Sequence, residues 1–254
     1  MGTNEIQGVL IALKGHATDL PNIRKYLPNV MQMDAVDARQ ADLSTLPIHP
    51  VASAGIKKTY FSDSFQVPSK GAIGCALSHY KAWRKCVTSA KPIVVMEEDV
   101  VFDEHTAKSV MRALRRLPPN AMYATLINTP YSLWNLACPD RALADSDHAG
   151  WYTLGLGTVG TQCYYINPAG AKILLENAYP VAFQVDVYIA STSVARPDFH
   201  AYATKKNPYA TSRYLSDAMK STIGYSKFSV KHFLPESNWF YLLVVFILMF
   251  LIIK

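Results

Sequence analysis

Three acids in a row, Glu97-Glu98-Asp99, close the apolar run Pro92-Ile93-Val94-Val95-Met96. Carboxylates at the end of a buried strand are costly unless something neutralises them. In open α/β sheets the carboxyl ends of the strands face the ligand crevice. Oxygen donors there suit Mg²⁺ or Mn²⁺, hard cations that in turn hold a diphosphate. A solvated acidic loop after a strand has the same composition, and the triplet alone leaves both readings open.

A second group lies upstream, in Lys70-Gly71-Ala72-Ile73-Gly74-Cys75-Ala76-Leu77-Ser78-His79. Gly71 and Gly74 near a helix start let a ligand or a neighbouring backbone approach closely. Exposed amides at such a start favour phosphate. Ser78 and His79 lie beside the apolar stripe of this helix, where they can hydrogen-bond into a site. A lone helix histidine is more often structural. The stretch Gly155-Leu156-Gly157-Thr158-Val159-Gly160 matches G-x-G-x-x-G. A strand follows it, whereas the dinucleotide fingerprint needs a helix there. We read it as a loop near an acceptor pocket.

These residues need elements to position them. Gly8–Leu13 has a buried-strand pattern, 20–27 a helix pattern with Asp19 as cap and Pro21 in its first turn, and Val30–Met33 a second short strand. That βαβ rhythm predicts a parallel sheet flanked by helices. Residues 40–68 are punctuated by Pro47, Pro50, Gly55 and Pro68 and read as irregular. Ile73, Leu77, Tyr80, Trp83 and Val87 recur at helical spacing behind a Ser69 cap, which predicts a helix over 70–87. Helices are predicted over 104–117, from Asn167-Pro168 to about 177, and over 184–192. Strands are predicted over 122–127, 162–166 and 200–204.

The chain has 254 residues, 50% of them hydrophobic and 17% charged, with a net charge of +6. This allows one large core. Its basic residues are spread and no nucleic-acid-binding motif is present, so a phosphate-bearing small molecule or a membrane surface fits better than nucleic acid. The four cysteines form no C-x-x-C pair, which argues against a zinc knuckle. The tail WFYLLVVFILMFLII from Trp239 to Ile253 is apolar on every helical face. We expect residues 1–236 to form the catalytic domain and 237–254 a C-terminal hydrophobic helix. That helix would span or anchor in a membrane as a single C-terminal pass. Lys220, Lys227 and Lys231 before it place the catalytic domain on the cytosol-facing side. A buried core helix is the alternative.

The block GAIGCALSHYKAW followed by IVVMEEDVVF resembles glycosyltransferase family 25, which includes lipooligosaccharide sugar transferases and procollagen galactosyltransferases. Gly160-Thr161-Gln162-Cys163-Tyr164-Tyr165-Ile166, Gly170-Ala171-Lys172, Val185-Asp186 and Ala35-Val36-Asp37-Ala38 are similar to further family blocks in the same order. The resemblance implies a GT-A-like, Rossmann-type, mostly parallel sheet. It also implies a UDP-sugar donor, Mn²⁺ (or Mg²⁺), inversion at the anomeric carbon and a glycan or glycoprotein acceptor. By the same resemblance Asp99 and Glu97 are metal ligands, with His200 a further one or an ordinary surface histidine. Gly71, Gly74, Ser78, His79, Glu97 and Glu98 line the donor site, and Asp186 is the base. Two departures stand out: Glu98 where the family has Asp, and Ile11-Ala12-Leu13 in place of its first-strand motif. They keep open a second reading, a catalytically inactive relative acting as a membrane-tethered binding module.

Overall fold

A computed structural model of the chain describes residues 6–50, 52–53, 67, 69–126, 141–142, 150–155, 160–204 and 211–212. The chain divides into two units, Met1–Ile223 and Gly224–Lys254; the second lies wholly outside the described residues. The expected boundary at 236/237 lies there too.

The first unit is an α/β structure. Its strands are β1 (Gln7–Ala12), β2 (Val30–Asp34), β3 (Ile93–Glu97), β4 (Val100–Val101), β5 (Tyr123–Thr125), β6 (Arg141–Ala142), β7 (Trp151–Thr153), β8 (Cys163–Ile166), β9 (Ala201–Thr204) and β10 (Thr211–Ser212). Its helices are α1 (Leu20–Tyr26), α2 (Lys70–Ser89), α3 (Glu104–Arg115), α4 (Pro168–Glu176) and α5 (Val185–Ala195). Eight strands form one sheet in the order β2-β1-β3-β8-β5-β9-β7-β6, and β10 pairs with β4 separately.

Side-chain alternation along the strands splits the core in two. Val9, Ile93, Val95, Tyr164 and Ile166 join one apolar cluster with Ile73, Trp83, Leu174 and Ile189, so α2, α4 and α5 cover that face. Leu10, Val94, Met96, Cys163 and Tyr165 join the other with Ile23 and Val110, under α1 and α3. The helix starts are fixed locally. Ser69 accepts from Ala72 N at 3.2 Å, Asp103 from Thr106 N at 2.7 Å, and Asn167 from Gly170 N at 2.8 Å, with Pro168 next in line.

Two expectations are corrected. The sheet is mixed rather than mostly parallel. β1 runs parallel to β2 and β3, and β5 to β9. β8, however, is antiparallel to both β3 and β5, and β7 to both β6 and β9. All four residues of β8 are buried, and a strand buried on both faces is an apolar run whichever way it points. The membrane-associated, single-pass placement is also corrected: no helix among the described residues is long and apolar enough to cross a membrane. The 20-residue α2 has the length, but it carries Lys70, Lys81, Arg84 and Lys85. The hydrophobic segment 237–254 lies outside the described residues.

Candidate active site

The topology itself locates a crevice. From β1 the chain passes through α1 to β2 on one side; from β2 it passes through α2 to β3 on the other side of β1. Connections that leave in opposite directions open a crevice at the carboxyl ends of the two central strands. Those ends carry Leu13–His16 after β1 and Glu97-Glu98-Asp99 after β3. The register pairs Ile11 with Glu97, so the two segments lie side by side.

The three acids do not act as one cluster. Glu97 continues the Ile93, Val95 alternation toward α2. There its Oε1 lies 3.3 Å from Nε2 of His79, whose side chain is 1% exposed. Nδ1 of His79 is 2.9 Å from the Tyr164 hydroxyl. That hydroxyl also accepts from Trp83 Nε1 at 2.9 Å. The proton arrangement that satisfies all four groups runs one way. Trp83 donates to Tyr164, Tyr164 donates to His79 Nδ1, and His79 Nε2–H faces Glu97. Burial opposes ionisation of Glu97, yet His79 and Thr161 outweigh it and hold the carboxyl below its ordinary range. His79→Ala, which removes the middle of this relay, is expected to lower unfolding free energy by about 2 kcal/mol, and Tyr164→Phe by about 1 kcal/mol. Denaturant unfolding checks both; unchanged midpoints would contradict the relay.

Glu98 turns the other way, toward the loop after β1. Its Oε2 accepts from Leu13 N at 3.0 Å, and its Oε1 is 3.1 Å from His16 Nδ1. Asp99 occupies the turn between β3 and β4. Asp186, in the first turn of α5, accepts from Gly160 N at 3.1 Å and from Val187 N at 2.8 Å. Burial pushes its carboxyl up, and the nearby charge of Glu97 adds to this against the two backbone bonds. One carboxyl pushed down and its neighbour pushed up is the pattern by which paired acids divide roles. Cys75 lies with Glu97 and His79, one ligand atom of each within 4.8 Å of the others. Burial raises its thiol well above the ordinary range, and the carboxylates of Glu97, Asp186 and Asp99 raise it further.

The predicted residues on α2 have more than one task. A Cβ at Gly74 would sit 2.3 Å from Val36 O and 3.2 Å from Ala38 N. It is therefore the neighbouring backbone, of the two options, that Gly74 admits. Ser78 Oγ donates to Gly74 O at 2.6 Å and accepts from Val36 N at 2.8 Å. Gly74 and Ser78 thus hold the segment after β2 that presents Asp37, whose carboxyl Arg39 holds down at about 2 through hydrogen bonds. Gly71 is partly buried beside the Ser69 cap, which already uses the Ala72 amide. His200 is not brought to the site. Its carbonyl accepts from Met122 N and Tyr123 N, and Tyr123 is level with Ala201, Ile166 and, through β8, Ile93. His200, one residue before Ala201, therefore lies at the opposite end of the strands, about 16 Å along the strand direction from Glu97 before the lateral spacing is added.

Motif reading missed Cys75, Tyr164, Trp83, Thr161 and His16. Cys75 and His79 stand four apart on one helix, a spacing that places side chains on the same face. Trp83 follows His79 at the same spacing on α2; the other three come from distant segments and carry no local signal.

The residues present suit a divalent cation. Glu97 and Asp99 supply hard oxygen donors, and Glu97 Oε1 is buried beside His79 Nε2. Cys75, His79 and Glu97 also place one ligand atom each within 4.8 Å of one another. That softer set favours a zinc-like ion over Mg²⁺.

The described fold is a mixed α/β sheet with a switch-point crevice and carboxylates at its mouth. The chain belongs to glycosyltransferase family 25: the model of that family, described as an LPS biosynthesis protein, matches residues 29–189. The chain is 25% identical over 162 residues to procollagen galactosyltransferase 2 of Homo sapiens, covering 59% of this chain and 25% of that protein. It is 30% identical over 145 residues to the probable inactive glycosyltransferase 25 family member 3 of Rattus norvegicus, covering 56% and 24%. The matching part is thus about a quarter of the length of these curated relatives. The family match starts after β1 and α1, the part whose first strand departs from the family pattern.

Proposed function

We propose that the chain is an inverting glycosyltransferase on a GT-A-like fold. It transfers a hexose, galactose or glucose, from a UDP-sugar to a hydroxyl of a glycan or protein acceptor. The observation that carries this reading is the place of Glu97 at the carboxyl end of β3, level with Ile11 of β1 and 3.3 Å from the buried His79, with Asp99 in the turn that follows. Family membership and the galactosyltransferase among the relatives support it. Asp186, with its raised carboxyl, is the base that takes the proton of the acceptor hydroxyl. As that oxygen bonds to the anomeric carbon, the bond from this carbon to the β-phosphate oxygen breaks and UDP leaves with the electron pair. Asp99, with Glu97 beside it, would hold Mn²⁺ (or Mg²⁺), which supplies Lewis-acid stabilisation of the leaving diphosphate.

A second reading, an inactive relative that binds without turnover, is favoured by the relative named inactive and by the Glu98 departure. UDP release from UDP-galactose and UDP-glucose, measured with Mn²⁺ and with and without added hydroxyl acceptors, separates the two. Turnover that rises with an acceptor supports transfer; bound nucleotide without UDP release supports the binding module.

A further inference from the structure

Glu98 bridges the crevice in an unusual way. Leu13-Lys14-Gly15-His16 is a tight turn. His16 N donates to Leu13 O at 3.0 Å, and Gly15 at its third position has φ +82°, the left-handed geometry that a type II turn asks of a glycine. Glu98 reaches across from the end of β3 and fastens both ends of that turn. Oε2 accepts from the amide of its first residue, Leu13, and Oε1 meets the imidazole of its last, His16. The Glu98 side chain is 24% exposed and that of His16 46%, so this clasp sits at the mouth of the crevice rather than in the core. Asp37 chiefly raises the pKa of the Arg39 guanidinium through its hydrogen bonds, and the charge of Glu98 adds to this. An aspartate in this place is one methylene shorter and cannot reach both ends of the turn from the same backbone.

We infer that Glu98 is a positioning residue, not a metal ligand: it staples the Leu13–His16 turn to β3 and thereby shapes the wall against which the nucleoside diphosphate part of the donor lies. This rests on the glycosyltransferase reading for the identity of the ligand, though not for the clasp itself. Each carboxylate oxygen already has a partner in the turn, so a cation at Glu98 would have to share them. The clasp also gives the chain's departure from the family triplet a physical task. The longer acid serves a first-strand segment that itself departs from the family pattern.

The test uses the full chain with Glu98→Asp and Glu98→Gln. Hydrogen exchange of the ligand-free protein is read at residues 13–16, and KM for the UDP-sugar and kcat are read separately. Glu98→Asp should speed exchange at the Leu13 amide by about tenfold and raise KM by about as much, with kcat changed far less. Glu98→Gln keeps an oxygen for Leu13 and an amide for His16, so it should restore both values to near wild type. If exchange at Leu13 is unchanged in Glu98→Asp, the clasp is wrong. If Glu98→Gln fails as badly as Glu98→Asp while the requirement for Mn²⁺ rises, Glu98 is a metal ligand and the inference is overturned. If the wild type shows no donor turnover, the glycosyltransferase reading fails, while the exchange measurement still decides the clasp.

Discussion

Asp99→Ala is expected to reduce UDP release from the donor by about 10³-fold while leaving the unfolding midpoint near its wild-type value. The magnitude follows from the task proposed for this residue. A charge that stabilises a leaving diphosphate acts chiefly in the transition state, and losing one such contact typically removes about 3–4 kcal/mol of that stabilisation. The fold should tolerate the change because Asp99 sits in the turn after β3, outside the two apolar clusters. A loss of turnover that tracked a loss of fold would give Asp99 a structural role instead. Retained turnover would remove it from the site.

Gly74→Ala is expected to have the opposite profile, a stability loss of about 3 kcal/mol before any effect on chemistry is considered. At an open helical position the same change would stabilise by nearly 1 kcal/mol, because alanine is the better helix former. Here the added methyl would lie 2.3 Å from Val36 O, and the obstacle is backbone. That backbone cannot simply withdraw. Val36 N is held by Ser78 Oγ at 2.8 Å, and Ser78 is itself anchored to Gly74 O. The neighbouring contacts of Lys81 Nζ with Asp34 O and of Ala35 N with Ala12 O hold the same segment. Denaturant unfolding measures the loss, and a variant as stable as the wild type would contradict the close packing of α2 on residues 36–38.

How legible the molecule was differs from element to element. The helix from Lys70 announced itself through a Ser69 cap and an apolar stripe, and it extends two residues past the predicted end at Val87 because Ala90 terminates it in a left-handed conformation. The βαβ opening was legible for the same reason: local periodicity and Pro21 in the first turn of α1 both speak within a short window. The direction of β8 was not legible, since burial on both faces erases the alternation that a half-exposed antiparallel strand shows. The acids were found as a group, but their division was not. Glu97, Glu98 and Asp99 are consecutive, and only the pleat of β3 and the reach of each side chain send Glu97 to His79 and Glu98 to Leu13. His79 stood out by type and place, whereas its partners Tyr164 and Trp83 could not be assigned. An aromatic on a buried strand looks the same whether or not its hydroxyl has a task. His200 is a metal-ligand type near the end of the family pattern, and the sheet register sets it at the far end of the strands from Glu97.

The β1/β3 crevice is proposed to bind a UDP-sugar with a divalent cation. Thermal unfolding of the wild type and of Asp99→Ala, each with UDP-galactose, UDP-glucose, UDP, GDP and CMP, with and without Mn²⁺, is the most direct test. Uridine diphosphate ligands are expected to stabilise the wild type only when Mn²⁺ is present, by about 2.7 kcal/mol at a hundredfold excess over Kd, and Asp99→Ala is expected to lose this gain. Stabilisation by no nucleotide, or equal stabilisation of both proteins without the cation, would contradict it.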